Sequence, residues 1–173
     1  MTMRILCATV IIIGFGYGGI LFSEVFKNRL RSLSGFCDGL SQLEFNIRYM
    51  NSPLCEAFSR SGSTLSGTVR EVFEDTSEIM IQKRESPPGE AFCRSIENKM
   101  RELRITKDEQ EILESFSKGM GDGDREKEIS NIKTAIIRLS AAKSDAEDDV
   151  LKKVKLCKRA GFLLGVFAVI VLF

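Results

Sequence analysis

A chain of 173 residues, 43% hydrophobic and 28% charged, can fold one domain around a moderate core, and its net charge of +1 supplies no whole-molecule field to gather nucleic acid. It contains no histidine and no tryptophan, which excludes Ser-His-Asp and Cys-His catalysis, a histidine-ligated metal and a histidine pH switch. The five cysteines, Cys7, Cys37, Cys55, Cys93 and Cys157, are odd in number and widely spaced without a C-x-x-C, so they read as reduced thiols packed as small apolar groups.

Ile5 to Phe22 carries no charge, and as a helix it reaches about 27 Å, close to the roughly 30 Å of hydrocarbon that a spanning helix crosses. Arg4 could open a signal peptide, but Ser23, Glu24, Val25 and Phe26 form no small-x-small cleavage site, so a retained anchor is expected. Within this run Gly14, Gly16 and Gly19 have the spacing of a dinucleotide-binding turn. That turn needs a helix opening after its last glycine, a second strand and an acid about 20 residues on. Asp38 has the distance, yet the intervening residues are helical in period and no second strand follows. Gly14 and Gly18 instead form a G-x-x-x-G face on a membrane helix, where missing side chains let another helix approach. A nucleotide-binding enzyme using Gly14, Gly16 and Gly19 is the lesser alternative.

Leu30, Leu33, Cys37, Leu40, Leu43, Ile47 and Met50 recur at threes and fours, the stripe of an amphipathic helix. Ser52 and Pro53 predict a stop and a new start, with Ser52 as N-cap, Pro53 in the first helical position, and Leu54, Ala57 and Phe58 as a short apolar side that "SRSGSTLSG" interrupts. Thr68 with Glu71 has capping-box spacing ahead of Val69, Val72, Phe73, Ile79 and Met80. Pro87, Pro88 and Gly89 punctuate, after which Phe92, Ile96, Met100 and Leu103 line a fourth helix. Thr106 with Glu109 is a second capping box, opening a fifth helix with Ile112, Leu113 and Phe116.

The turn "KGMGDGDREKE" brings Asp122 and Asp124 together, but a calcium loop starting there would need Gly and Glu where Lys127 and Lys133 stand. The turn reads instead as Gly119 or Gly121 ending one helix and Asp124 capping the next. From there Ile129, Ile132, Ile136, Leu139, Ala142, Ala146, Val150 and Val154 keep helical spacing without Gly or Pro until Gly161, so one helix can run into Ala160 to Phe173. That apolar end is about 21 Å of helix and is the shorter of two expected spans.

Lys27, Arg29 and Arg31 follow the first apolar run, and Lys152, Lys153, Lys155, Lys158 and Arg159 precede the second. The positive-inside rule then places the middle in the cytoplasm. The expected organisation is all-α: an N-terminal transmembrane helix at 1–22, a cytoplasmic antiparallel helical bundle at 23–159 and a C-terminal transmembrane helix at 160–173.

No nucleophile with a base, carboxylate pair in a cleft or P-loop is legible, and the acidic runs at Glu71, Glu74 and Asp75 and at Asp145 to Asp149 read as solvated helix faces. No catalytic residue, cofactor, metal or nucleic-acid partner is expected. In "LSQLEFNIRYMNSPL" Glu44 and Arg48 stand one turn apart, either as a surface ion pair of about 0.5 kcal/mol or less or as a binding face beside Tyr49. Glu44, Arg48 and Tyr49, with Asp124 and Glu128 at the opening of the last helix, are the candidate partner-binding residues.

Three stretches, "LSQLEFNIRYMNSPLCEAF", "EQEILESFSKGMGDGDREKEI" and the closing "KRAGFLLGVFAVIVLF", together with the N-terminal apolar run, give nearly the whole chain a resemblance to the stage III sporulation protein AB family of spore-forming Firmicutes. The resemblance implies a membrane protein of the mother cell, in the outer membrane around the engulfed forespore, within a transenvelope complex. That family is similar to the platform proteins of type II secretion and type IV pilus machines. The implied partners are a secretion-type sporulation ATPase, other membrane proteins of the complex and the lipid bilayer. A membrane-anchored adaptor or signalling protein outside sporulation is the alternative in kind.

Overall fold

The structure is a computed structural model describing residues 27–172 apart from 51, 84, 85 and 122, with side chains as far as residue 148. Among the described residues there are helices and no strand. Helix α1 covers 27–49, followed by α2 (Leu54–Thr64), α3 (Gly67–Gln82), α4 (Pro88–Leu103), α5 (Lys107–Lys118) and the 48-residue α6 (Arg125–Leu172). The chain divides into two compact units. One is the bundle, Asn28–Ser144. The other consists of the two chain ends, of which Lys27 and the course of α6 from Asp145 to Leu172 are described.

The stripes read from the sequence bury the expected side chains: Leu33, Leu40, Leu43 and Ile47 of α1, Val69, Val72 and Phe73 of α3, Phe92, Ile96 and Leu103 of α4, Leu113 and Phe116 of α5, and Ile132 and Leu139 of α6. Met50, placed on the α1 stripe, is instead 52% exposed. Phe36, off that stripe, is fully buried. It belongs to an aromatic cluster centred on Phe92, whose ring lies 6.5 Å from Phe36, 5.7 Å from Phe58, 6.1 Å from Phe73 and 5.5 Å from Phe116. Three of the four pairs are edge-to-face, the arrangement that sets a positive ring edge against a negative face and adds about 0.5–1.5 kcal/mol per pair beyond area burial. One side chain of α4 thus joins α1, α2, α3 and α5.

Helix ends depart from the sequence reading in three places. Pro53, not Ser52, is the N-cap of α2, and no side chain caps that end. The helix also runs through the interrupting serines to Thr64, because they turn inward or back: Ser61 is fully buried, donates to the Ala57 carbonyl at 2.7 Å and accepts from Asn46 Nδ2 of α1 at 3.1 Å. Helix α3 starts at Gly67 with Ser66 as an uncapped N-cap, so the Thr68–Glu71 capping box does not form. Helix α4 begins at Pro88 with Gly89 already inside it. A Cβ on Gly89 would fall 2.1 Å from the Ser117 carbonyl oxygen, so only glycine lets the start of α4 meet the end of α5.

The Thr106 box forms as expected, Glu109 N donating to Thr106 Oγ1 at 3.4 Å and Thr106 N to Glu109 Oε2 at 2.7 Å. Asp124 caps α6, its Oδ1 accepting from Glu126 N at 3.0 Å and Lys127 N at 3.3 Å, and Gly119 ends α5. Contacts of α1 with α6, Ser34 to Lys143 at 3.2 Å, Cys37 to Ser140 at 3.7 Å and Glu44 to Lys133 at 3.8 Å, run in opposite sequence directions and make the two helices antiparallel.

The expected spans fare differently from the bundle. The N-terminal one, with Gly14, Gly16, Gly18 and Gly19, lies outside the described residues. The C-terminal one is the last part of α6, and among the described residues no helix is long and apolar enough to cross a membrane. The reason is visible in the sequence: the uncharged run begins only after Lys158 and Arg159 and is short.

Candidate functional site, the end of α1 against the start of α6

The candidate residues of the sequence reading converge where α1 finishes and α6 begins, because the antiparallel pairing of the two helices brings residues 44–49 opposite residues 124–133. Arg48 Nη2 donates to Glu44 Oε1 at 2.8 Å, one turn back on α1. Lys133 of α6 approaches the same carboxylate oxygen at 3.8 Å, and the Arg125 guanidinium donates to the Arg48 carbonyl. The pair is therefore more than a surface i,i+4 contact. With side chains 20% and 34% exposed, Glu44 and Arg48 fasten the end of one helix to the start of another. Arg48 Nε is buried and has no acceptor among the described residues.

Tyr49 stands on the outer side at 69% exposure, its ring 5.1 Å from that of Phe45, which is itself 50% exposed. Met50 follows at 52%. On α6, Ile137 is 70% exposed and lies on the same strip as Lys133 and Ser140, both of which meet α1. An apolar, aromatic surface thus adjoins the Glu44–Arg48–Lys133 network. Isolated exposed apolar residues are ordinary, but a cluster rimmed by charge is what interaction sites carry.

Asp124 and Glu128 do structural work at this site. Asp124 caps α6, and Glu128 Oε1 accepts from Gly121 N at 3.3 Å across the turn. They shape the α5–α6 turn beside a recess of about 160 Å³ lined by Ile47, Leu54, Gly123, Arg125 and Glu128. Phe45, Arg125, Lys133 and Ile137 were not picked out from the sequence. Phe45 had a local signal, one turn before Tyr49 and off the buried stripe, as did Ile137 beside Ile136. The two cations had none, since their roles arise from helix pairing.

Chemically, this end offers an antiparallel helix pair, two rings in tilted contact and paired charges. Among the described residues no group of three His, Cys, Asp or Glu side chains could hold a metal ion. Such an arrangement defines a class, a helical domain whose chemistry lies on its surface. The chain belongs to the stage III sporulation protein AB family, which residues 4–173 match, and so to a family of sporulation proteins. Stage III sporulation protein AB of Bacillus subtilis (strain 168) is 27% identical over 170 residues, covering 98% of this chain and 99% of that protein. A solved structure of stage III sporulation protein AB (SpoIIIAB) superposes with a TM-score of 0.65 at 27% identity, over 72% of this chain and 97% of that one.

Proposed function

We propose that the protein is a non-enzymatic platform of a sporulation transenvelope complex, docking a secretion-type ATPase on the mother-cell side of the outer forespore membrane through the end of α1 and the start of α6. The observation that carries this reading is the Phe45–Tyr49 ring pair, tilted at 43° and exposed beside the Glu44–Arg48–Lys133 network. Aromatic anchors next to charged groups are where binding energy concentrates in protein interfaces. The apolar ends supply the tether: Ile5 to Phe22 has the length and lack of charge of a spanning helix, and Ala160 to Phe173 joins it as a shorter companion flanked by Lys158 and Arg159. Gly14 and Gly18 give the first of these a surface for close helix packing with other membrane proteins of the complex.

The test is co-purification of the full chain in mild detergent from sporulating cells. The ATPase should be retained by the unaltered chain and lost, by tenfold or more in apparent affinity, with Tyr49→Ala combined with Phe45→Ala, while circular dichroism shows the helices unchanged. Absence of any secretion-type ATPase from the unaltered preparation overturns the docking role. Release of the intact chain from vesicles by alkaline carbonate overturns the tether and reopens Gly14, Gly16 and Gly19 as a ligand turn.

A further inference from the structure

The other face of the bundle holds a feature that platform docking does not use. A polar groove of about 1200 Å³ runs between the first half of α1, the α2–α3 junction and the end of α4. Arg31, Arg101 and Arg104 all line it, and none of them makes an ion pair with another described residue. The carboxylates on its walls, Asp38 and Glu102, are outnumbered by these three guanidiniums. Arg104 takes the left-handed conformation, φ 56°, that ends α4.

Two further observations concern acceptors that the groove lacks. The N-terminus of the 16-residue α3 opens on it at Ser66–Gly67–Thr68, with no side-chain cap and no acid in the first turn. Gly67, at φ +66°, has open space where a Cβ would stand. The first backbone N–H groups of a helix are orphan donors carrying the positive end of the helix dipole, which attracts anions. Ser32 is 6% exposed, lines the same groove, and its hydroxyl has no hydrogen-bond partner among the described residues. Its oxygen reaches solvent at the groove, where the hydroxyl is available as a donor. Three guanidiniums, an uncapped helix start and an unpartnered hydroxyl are donors lining one groove.

We propose that this groove binds a phosphate-bearing anion, with Arg31, Arg101 and Arg104 as the charged donors and Ser32 and the start of α3 as the neutral ones. Guanidinium groups suit this because their planar fork matches two phosphate oxygens at once. The anion can be a phospholipid headgroup or a soluble phosphate compound; the chemistry is shared and the source is a matter for measurement.

The experiment uses the full chain in a neutral detergent and two probes. One arm titrates inorganic phosphate against chloride at matched ionic strength, and the other titrates phosphatidylglycerol against phosphatidylcholine in mixed micelles. Binding is read as the shift in melting temperature and as the shift of arginine side-chain resonances. Saturable binding in the first arm identifies a soluble phosphate, and saturation only in the second identifies a headgroup. In either case Arg31→Gln and Arg104→Gln should each weaken binding by about tenfold or more, whereas Lys118→Gln, a comparable charge loss at the exposed end of α5 outside the groove, should leave it unchanged. Saturation in neither arm overturns the proposal. So does an equal loss with Lys118→Gln, which would reduce the effect to net charge. Retention of the ATPase by Arg31→Gln keeps this result separate from the docking reading.

Discussion

Where α1 begins, Arg29 reaches 80 residues along the chain, its Nε and Nη2 donating at 2.9 and 2.6 Å to Glu109 Oε1, a carboxylate that is 1% exposed and also closes the capping box of α5. Where α1 finishes, Arg48 turns to a glutamate on its own helix, has no acceptor for Nε among the described residues, and stands beside two exposed rings. Both ends use an arginine and a glutamate. At the first they are spent on holding α5 against α1, and every oxygen of the carboxylate is used. At the second they sit on a surface whose aromatic groups are half or more exposed. The contrast teaches that burial and sequence separation, not residue type, tell a structural ion pair from one kept at a recognition surface.

The largest expected effect comes from the aromatic hub between the two ends. Phe92→Ala removes a ring in contact with four others and should destabilise the bundle by about 4 kcal/mol, measured by chemical denaturation, because the packed neighbours cannot collapse into the space. The next pair of variants bears directly on the contrast. Arg29→Ala strands a buried carboxylate and should cost about 3 kcal/mol, while Glu44→Gln, at the part-exposed end, should cost about 1 kcal/mol. Equal losses in the two would erase the distinction between the ends.

Periodicity made the bundle legible: five stripes predicted from apolar spacing bury Leu40, Phe73, Phe92, Leu113 and Leu139, since a helix with one apolar face has few ways to hide it. Capping was legible at Thr106 and Asp124, where the cap, the turn and the apolar run agree. It failed at Thr68, where the same spacing occurs one residue inside a helix that already begins at Gly67. Serines in "SRSGST" read as a break because their burial beside Asn46 is a tertiary fact. Glu44, Arg48 and Tyr49 could be singled out as a local cluster, whereas Lys133 and Arg125 reach them only through helix pairing. The Arg29–Glu109 bond and the arginine groove depend wholly on contacts distant in sequence, which no local pattern records.

The smallest effect lies midway between the ends, at the seam of α1 and α6. Burial pushes the Cys37 thiol above its ordinary value of 9.0, opposed by the contact with Ser140 Oγ and by the nearby Lys143. The sign follows from which form the fold disfavours. A raised thiol pKa means that the folded chain keeps its proton where the unfolded chain has lost it, so stability is fully present below pH 9.0 and falls as pH rises through the folded value. Cys37→Ala abolishes this contribution. The difference in unfolding free energy between the unaltered chain and Cys37→Ala should therefore be flat from pH 7 to 8.5 and shift against the unaltered chain above pH 9, with tyrosine and lysine titrations cancelling in the subtraction. A difference that stays flat to pH 10 would mean that the thiol is as well solvated in the folded seam as in the unfolded chain, and that α1 and α6 are packed less closely there than the 3.7 Å contact between Cys37 and Ser140 implies.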